Sequence, residues 1–303
     1  MKLTSRIFLI AAVASLASLA PAINIITTND AEDMAAAIFG EEADGVDIIS
    51  TSYTGAAIAS GTYTNLEFAP FSLMTSGLLM TTGDAQLANG PNDQDSAGID
   101  NLGPNETFNN YDGTNSAELI NVAKLTIQFY TDQTQHLSFD FTFGSEEYYY
   151  YTNSPFNDAF FAFLDNNPTT LSMDSNNHPI TINNQFLTID NRPNDPLNFP
   201  YDNGYGLPDL PGSGNPDGID ELQYDGFTPV LRTTFTASEG YHSLTFVIGD
   251  AGDGVLDSGV FISRGLGSSD DDDGTDIEPE PASFLALGLG LAGIWRQRTA
   301  RRG

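Results

Sequence analysis

Acidic and amide side chains are concentrated in two segments that the surrounding sequence indicates are loops. The first follows the apolar run LSFDFTF, and the second is the glycine-rich stretch GDAGDGVLD at residues 249–257. Calcium takes about six to eight oxygen ligands, chiefly from carboxylates, amides and backbone carbonyls. If the two loops converge, they predict a calcium site without the spacing of an EF-hand. Its candidate ligands are Glu146, Glu147, Asn157, Asp158, Asp250, Asp253 and Asp257.

A purely structural role is the alternative for the same residues. Asn157 and Asp158 are suited to capping a turn, and Asp253 followed by Gly254 is a favourable hairpin pair. In that interpretation the two glutamates are simply solvated. The residue types leave both interpretations open.

Four consecutive tyrosines follow the acidic pair of the first segment. They are Tyr148, Tyr149, Tyr150 and Tyr151. Tyrosine rings can stack on sugar faces, and neighbouring Asn and Asp side chains can bind sugar hydroxyls. The run therefore indicates a candidate binding surface for exopolysaccharide or another surface glycan. The alternative is that alternate tyrosines pack against the edge of a sheet.

Catalytic chemistry has little support in the residue types. The chain contains no cysteine, no G-x-S-x-G sequence and no H-E-x-x-H motif. Its histidines are isolated in the sequence: His136, His178 and His242. A glycosidase acid and nucleophile pair would have to come from Glu146, Glu147 and Asp158, but adjacent residues of a strand point to opposite faces. We therefore expect a protein that is not an enzyme.

The segments that frame the first acidic loop have the periodicity of strands. Leu137, Phe139, Phe141 and Phe143 alternate with polar residues, which predicts a half-buried strand. The run at residues 159–165 is apolar on both faces, as expected of a strand in the middle of a sandwich. The acidic loop should therefore connect two core strands.

Closely spaced strand patterns and long loops rich in Asn, Asp, Gly and Pro predict an all-β fold. The expected architecture is an antiparallel β-sandwich of jelly-roll type. One short N-terminal helix is predicted, with Asn29 as its N-cap, Glu32 three residues later, and Gly40 at its end. The alternating run at residues 123–132 is expected to form a hairpin with the strand that begins near His136.

The charge of the chain restricts its partners. Residues 23–281 contain 41 acidic and four basic residues, a net charge of −37. Such a surface repels nucleic acid and anionic lipid and attracts cations. Solubility in salty surroundings is the alternative reason for this composition. Because cysteine is absent, stability must come from the core, with or without bound ions.

The beginning of the chain has the features of a signal peptide. Lys2 and Arg6 precede an apolar run that ends at the A-P-A sequence of residues 20–22, so signal peptidase is expected to remove residues 1–22.

Near the other end of the chain, residues 267–278 are rich in Ser, Gly and Asp. This composition predicts an acidic disordered linker.

The last segment, residues 279–303, combines a Pro-Glu-Pro start, one apolar stretch and an arginine cluster. The residues concerned are Pro279, Glu280, Pro281, Arg296, Arg298, Arg301 and Arg302. This order resembles the PEP-CTERM sorting signal, also known as the ice-binding protein C-terminal motif. The resemblance implies a transmembrane anchor helix with cytoplasmic arginines. It further implies processing by an exosortase of a Gram-negative bacterium.

Five blocks in the main segment resemble the choice-of-anchor L domain. They are FTFGSEEY (141–148), SPFNDAFFAFLD (154–165), ITINN (180–184), YDGFTPVL (224–231) and GDAGDGVLDSGVFI (249–262). The four-tyrosine run is longer than the usual aromatic stretch after the SEEY block. The resemblance assigns residues 23–266 to this domain and implies an exported protein with a C-terminal surface anchor. It supplies little about mechanism.

Together these features lead us to expect an exported, exosortase-sorted protein of the cell surface or extracellular matrix. Its expected role is structural or adhesive, with calcium stabilising the fold. A carbohydrate-binding module for exopolysaccharide is the alternative, and a glycan-acting hydrolase is the third. The expected partners are signal peptidase, exosortase, surface glycans and, before processing, the inner membrane. Nucleic acid is not expected to bind.

Overall fold

The alternating runs of the sequence form strands that pack as two antiparallel sheets. The computed structural model describes residues 23–39, 45–68, 72–90, 92, 98–99, 103–109, 116–148, 150–165, 167–174, 176–184, 189–190 and 222–268. These residues contain one α-helix, α1 (Ala31–Phe39), and fifteen strands. In chain order the strands are β1 (Asn24–Thr27), β2 (Val46–Thr54), β3 (Ser60–Phe68), β4 (Ser72–Thr81), β5 (Glu106–Phe108), β6 (Ala117–Thr131), β7 (Gln135–Ser145), β8 (Ala159–Leu164), β9 (Ile180–Thr181), β10 (Ile189–Asp190), β11 (Gly226–Phe227), β12 (Leu231–Ala237), β13 (Gly240–Asp250), β14 (Ser258–Ser263) and β15 (Gly267–Ser268).

The strands divide into a nine-stranded and a six-stranded sheet. The first has the order β1-β3-β4-β14-β7-β11-β10, and β12 and β15 also pair with β7. The second has the order β2-β6-β13-β8-β9, and β5 also pairs with β6. Every pairing between described strands is antiparallel. The predicted all-β sandwich is confirmed.

Strand β7 is the centre of the nine-stranded sheet. It pairs through Phe141 with Ile262 of β14 on one side and with Leu231 of β12 on the other. Its inward residues Leu137, Phe139, Phe141 and Phe143 are buried, as their alternation predicts.

Aromatic contacts join the two sheets across the core. The ring of Phe139 meets that of Phe246 on β13 edge to face, with centroids 5.2 Å apart. The ring of Phe141 lies 5.1 Å from that of Phe160 on β8. On the outer side of β8, Phe161 is covered by Phe108 of β5, 5.6 Å away. Because apolar groups cover both faces of β8, its sequence is apolar throughout and does not alternate with polar residues.

The predicted hairpin between β6 and β7 is wrong. Strand β6 pairs with β2 and β13, whereas β7 lies in the other sheet. The short connection between Thr131 and Gln135 therefore crosses from one sheet to the other. Both strands still turn their apolar sets toward the same core, so the alternation is equally compatible with either arrangement.

Helix α1 packs Met34, Ala35, Ile38 and Phe39 into the core. Its N-cap differs from the expected residue: the backbone N–H of Glu32 donates to Oδ1 of Asp30, 2.9 Å away, so the cap is Asp30 and not Asn29. The predicted helix is confirmed, whereas Gly40, its predicted end, lies outside the described residues.

The domain extends slightly beyond its predicted end. Gly267 and Ser268 pair with Ser138 and Leu137 of β7, so the segment expected to be linker from Gly267 begins as strand β15. The described residues lie in one compact unit that ends at Ser268. The predicted signal peptide, anchor helix and sorting residues lie outside the described residues. Among those described, no helix has both the length and the apolar character to span a membrane.

A buried carboxylate cluster as the candidate functional site

Four strand ends meet at one end of the sandwich. The end of β7 pairs with the start of β14 through Ser145 and Ser258. The start of β8 pairs with the end of β13 through Ala159 and Gly249. The two acidic segments of the sequence therefore come together. The residues that we call the carboxylate cluster are Glu146, Glu147, Asp158, Asp250 and Asp257.

Every member of the carboxylate cluster is buried, with 0 to 2% of its surface exposed. The interpretation in which the two glutamates are solvated is therefore wrong. Strand β7 ends at Ser145, so Glu146 and Glu147 lie in the following turn, where the alternation of a strand no longer separates them. The backbone N–H of Glu146 donates to the carbonyl of Asp257 at 3.1 Å, which ties the turn to the second acidic segment.

Asp158 is held by a chain of hydrogen bonds from both sheets. Its Oδ1 accepts from the backbone N–H of Ala251 at 2.9 Å, and its Oδ2 accepts from the Ser258 hydroxyl at 2.6 Å. The hydroxyls of Ser258 and Ser145 are 2.8 Å apart. Oγ of Ser145 in turn accepts from the backbone N–H of Glu147 at 2.9 Å.

Asp250 is buried near Asp158, and the negative charge of Asp158 raises the pKa of Asp250. Oδ2 of Asp250 accepts from Nδ2 of Asn121 at 2.8 Å, and the Thr82 hydroxyl also bonds the carboxylate. Ionisation of two neighbouring buried carboxyl groups is unfavourable, and a proton or a cation between them relieves the repulsion.

Asp257 and Glu147 occupy the two sides of the cluster. Oδ1 of Asp257 accepts from the backbone N–H of Ile99 at 3.1 Å, and the Glu147 carboxylate accepts from the backbone N–H of Asp158. Three buried carboxylate oxygens of the cluster each receive no hydrogen bond from the described part of the chain. These are Oε2 of Glu147, Oδ1 of Asp250 and Oδ2 of Asp257.

Burial and mutual repulsion raise the pKa of these carboxyl groups. Burial raises the pKa of Asp158 to about 7, against which the bonds from Ser258 and Ala251 act. Burial also raises the pKa of Asp257 to about 7. Burial, followed by the charge of Asp158, raises the pKa of Glu147 and of Asp250 well above the usual range. Without a cation, the cluster is therefore partly protonated near neutral pH.

Two basic side chains of the described residues pair with carboxylates outside the cluster. Lys124 pairs with Glu106, and Arg232 pairs with Asp140 at 2.7 Å. None of the ion pairs between described residues includes Glu147, Asp158, Asp250 or Asp257. Among the described residues, no group of three or more His, Cys, Asp and Glu side chains has the arrangement of a ready metal site. The carboxylates are thus neighbours without the convergent geometry of a preformed centre.

Two of the predicted ligands accept hydrogen bonds from nearby backbone groups. Oδ1 of Asn157 accepts from the backbone N–H of Asn183 at 2.6 Å, so it caps the chain near β9. Oδ1 of Asp253 accepts from the backbone N–H of Val255 at 3.2 Å, as in an Asx-turn. The charge of Asp253 still raises the pKa of Glu147 and of Asp158, so it lies near the cluster.

One of the four tyrosines, Tyr148, is too deeply buried for the predicted sugar-stacking surface. Tyr148 is 1% exposed and packs edge to face on Phe143, with ring centroids 6.3 Å apart. It is a core residue, because the chain turns inward after Ser145. Tyr150 and Tyr151 are half-buried, and Tyr151 packs edge to face on Phe156. Tyr149 lies outside the described residues.

Several polar residues around the cluster are not apparent from the sequence. Asn121 is buried, has a φ of 51°, and bonds Asp250 from the middle of β6. The sequence signal for this residue was an amide side chain between two apolar residues of the same strand. Tyr224 is buried beside Asp257, and burial followed by that charge raises the pKa of its phenol. Its position depends on tertiary packing, which no local pattern indicates.

Two family models match the chain. The model of the Choice-of-anchor L domain matches residues 23–266, which include the whole carboxylate cluster. The chain belongs to the choice-of-anchor L domain family. The model of the PEP-CTERM protein-sorting motif matches residues 279–302. This choice-of-anchor L domain is therefore part of an exported surface protein that is sorted by an exosortase. Comparison with curated proteins and with solved structures gives no match.

Both resemblances seen in the sequence are confirmed by these matches. The second match contains Pro279, Glu280, Pro281 and the arginine cluster, which lie outside the described residues. The first match places the cluster inside the choice-of-anchor L domain and apart from the sorting motif.

Proposed function

We propose that this choice-of-anchor L domain is a structural or adhesive module of the cell surface or extracellular matrix, and that calcium binds its carboxylate cluster. The proposed setting is the envelope of a Gram-negative bacterium, after processing by signal peptidase and exosortase. The observation that carries the proposal is the set of buried carboxylate oxygens without donors on Glu147, Asp250 and Asp257.

Burial of ionised carboxylates is unfavourable unless they are paired or coordinate a metal. Here the segments that contribute the cluster are far apart in sequence, and no basic side chain among the described residues pairs with Asp158 or Asp250. A divalent cation would replace the shared proton between these two groups. It would also satisfy the oxygens that lack donors.

Calcium fits the donor set better than the other biological cations do. The cluster offers carboxylate oxygens, whereas zinc sites generally include His or Cys. Magnesium requires a nearly ideal octahedron, while calcium accepts about six to eight oxygens in irregular arrangements. Extracellular calcium modules have dissociation constants of about 10⁻⁴ to 10⁻³ M. The absence of a ready site among the described residues implies that Glu147, Asp158 and Asp250 move together when the ion binds.

Such an ion would strengthen the fold at its most highly charged end. It would connect the turn after β7 with the end of β13, which belong to different sheets. A surface module that carries load benefits from this link, because the chain has no cysteine for disulfides. The burial of Glu146, Glu147 and Asp158 also argues against the glycosidase alternative, since a polymer substrate cannot approach a buried pair.

Equilibrium dialysis of the purified full-length chain against calcium tests the proposal. We expect saturable binding that Asp250→Asn removes. The matched control Asp132→Asn removes an exposed carboxylate from the turn before β7, and it should bind calcium like the unmodified protein. Equal calcium binding by both variants, or no saturable binding at millimolar calcium, would refute the proposal.

A further inference from the structure

The outer face of the six-stranded sheet carries a regular grid of side chains on β2, β6 and β13. The strand register places residues side by side in three rows: Asp47, Tyr130 and Tyr241; Ser50, Gln128 and Ser243; Ser52, Thr126 and Thr245. Neighbouring strands lie about 4.8 Å apart and successive rows about 6.8 Å apart. All nine side chains are exposed or half-buried. The grid is therefore an accessible surface.

Two tyrosines form the aromatic end of this grid. The rings of Tyr130 and Tyr241 have centroids 5.0 Å apart, with an angle of 58° between their planes. Tyr241 is 76% exposed, the largest value for a large hydrophobic side chain among the described residues. A ring in this position contributes little to the core. Paired, exposed tyrosines are typical of surfaces that contact a partner with both apolar faces and hydroxyl groups.

The two inner rows are uncharged in a chain with a net charge of −31. Their hydroxyls and the amide of Gln128 can each donate and accept hydrogen bonds. The charged residues at the border of the grid include Asp47, Lys124, which is paired with Glu106, and Asp165, whose Oδ1 accepts from the backbone N–H of Ser243. The surrounding negative charge repels anionic polymers. An uncharged strip of donors and acceptors is complementary to an uncharged, hydroxyl-rich polymer.

We propose that this face binds a neutral polysaccharide, with Tyr130 and Tyr241 stacking on sugar rings and Gln128 bonding sugar hydroxyls. The inference names the partner for the adhesive role proposed above and rests on that role. It moves the glycan contact from the tyrosine run after β7 to a different face of the domain.

Self-association through the same face is disfavoured by two features. Two copies of a chain with this net charge repel each other. The edge strand β2 also contains a bulge between Ile48 and Ser50, and bulges of this kind interrupt pairing with another strand.

The proposed polysaccharide face is independent of the carboxylate cluster. Tyr241 is the second residue of β13, and Asp250 is its last. At about 3.4 Å per residue they are about 30 Å apart along the strand. Loss of one function therefore need not affect the other.

Retention of the purified full-length chain on insoluble cellulose, insoluble chitin and immobilised dextran tests the inference. We expect retention on at least one of these neutral polymers and a loss of affinity of about tenfold in the double variant Tyr130→Ala and Tyr241→Ala. Tyr241→Phe keeps the ring and should bind normally. Ile26→Ala, which removes an exposed apolar side chain from the other sheet, should also bind normally.

Asp250→Asn should also bind the polymer normally, so failure of the calcium proposal is distinguishable from failure of this one. Absence of retention on all three polymers would overturn the inference, as would full retention of the double variant. Sedimentation provides a further arm: self-association that the double variant abolishes, without polymer retention, would assign the face to a second copy of the chain.

Discussion

The carboxyl groups of Asp158 and Asp250 are both buried inside the sandwich, one from the residue before β8 and one from the end of β13, and the charge of Asp158 raises the pKa of Asp250. Pairing of Ala159 with Gly249 between the two strands fixes this proximity. Ionisation of both groups is unfavourable when nothing lies between them. A shared proton or a bound cation is required, and the two possibilities have opposite consequences for stability.

Without a cation, stability should fall as the pH rises from about 4 to about 7. Burial raises the pKa of Asp158 from 3.8 to about 7, so the folded state retains a proton that the unfolded chain releases near pH 4. Because the unfolded state then binds fewer protons, linkage makes the free energy of unfolding decrease as the pH rises. Below about pH 4 both states are protonated and the penalty is absent. Thermal unfolding in chelator should therefore show a higher midpoint at pH 5 than at pH 7.5.

The control for this pH dependence is Asp158→Asn. The net charge of the chain also changes with pH, but the variant keeps nearly all of that charge. Its midpoint should differ less between pH 5 and pH 7.5 than that of the unmodified protein. An unchanged difference would show that the cluster does not cause the effect.

Asp250→Asn should separate a cation site from a structural hydrogen-bond network. In chelator we expect unfolding stability equal to or above that of the unmodified protein, because the substitution removes a buried charge that repels Asp158. A carboxylate that served only to accept bonds from Asn121 and Thr82 would lose about 1.5 to 3 kcal/mol on the same change. Urea unfolding in chelator measures the difference. Destabilisation of that size would favour the structural network.

Gly83→Ala should disturb Asp257 through direct contact. A Cβ at Gly83 would lie 1.7 Å from Oδ2 of Asp257 and 2.1 Å from its Cγ, so the carboxylate must move. We expect calcium affinity to fall about tenfold, which corresponds to about 1.4 kcal/mol. The double variant with Asp257→Asn should bind no more weakly than Asp257→Asn alone. Fully additive losses would mean that Gly83 acts elsewhere.

Tyr148→Ala should lower stability without affecting polysaccharide binding. Tyr148 is buried against Phe143, and truncation of a buried aromatic side chain costs about 3 to 5 kcal/mol. The matched control is Tyr241→Ala, which removes an exposed ring and should change the free energy of unfolding by less than about 0.5 kcal/mol. Urea unfolding measures both. A small loss for Tyr148→Ala would contradict the core position of this ring.

Local sequence patterns predicted the positions of the strands better than they predicted which strands pair with each other. Alternation at Phe139 and Phe141 placed β7 correctly, and the apolar run of β8 indicated a strand covered on both faces. The pairing of β6 was not predictable, because a short turn between alternating strands fits a hairpin and a crossing between sheets equally well. The choice depends on β13, which occupies the position beside β6 and lies more than a hundred residues away.

The candidate site was predictable in its acidic residues but not in its burial. Two acidic loops indicated an ion site, yet Glu146 and Glu147 were equally consistent with solvent exposure. Their burial follows from the end of β7 at Ser145 and from the pairing of that residue with Ser258. Asn121 and Tyr224 belong to distant strands and loops, so their contribution emerges only from the tertiary fold.

The midpoint of thermal unfolding in calcium and in chelator at pH 7.5 tests the central claim most directly. Calcium at about one hundred times its dissociation constant should stabilise the full-length chain by about 2.7 kcal/mol. For a domain of this size that raises the midpoint by about 5 to 10 °C. Asp250→Asn should abolish the increase, and Asp132→Asn should retain it. An unchanged midpoint in the unmodified protein, or an equal increase in Asp250→Asn, would contradict a calcium site in the carboxylate cluster.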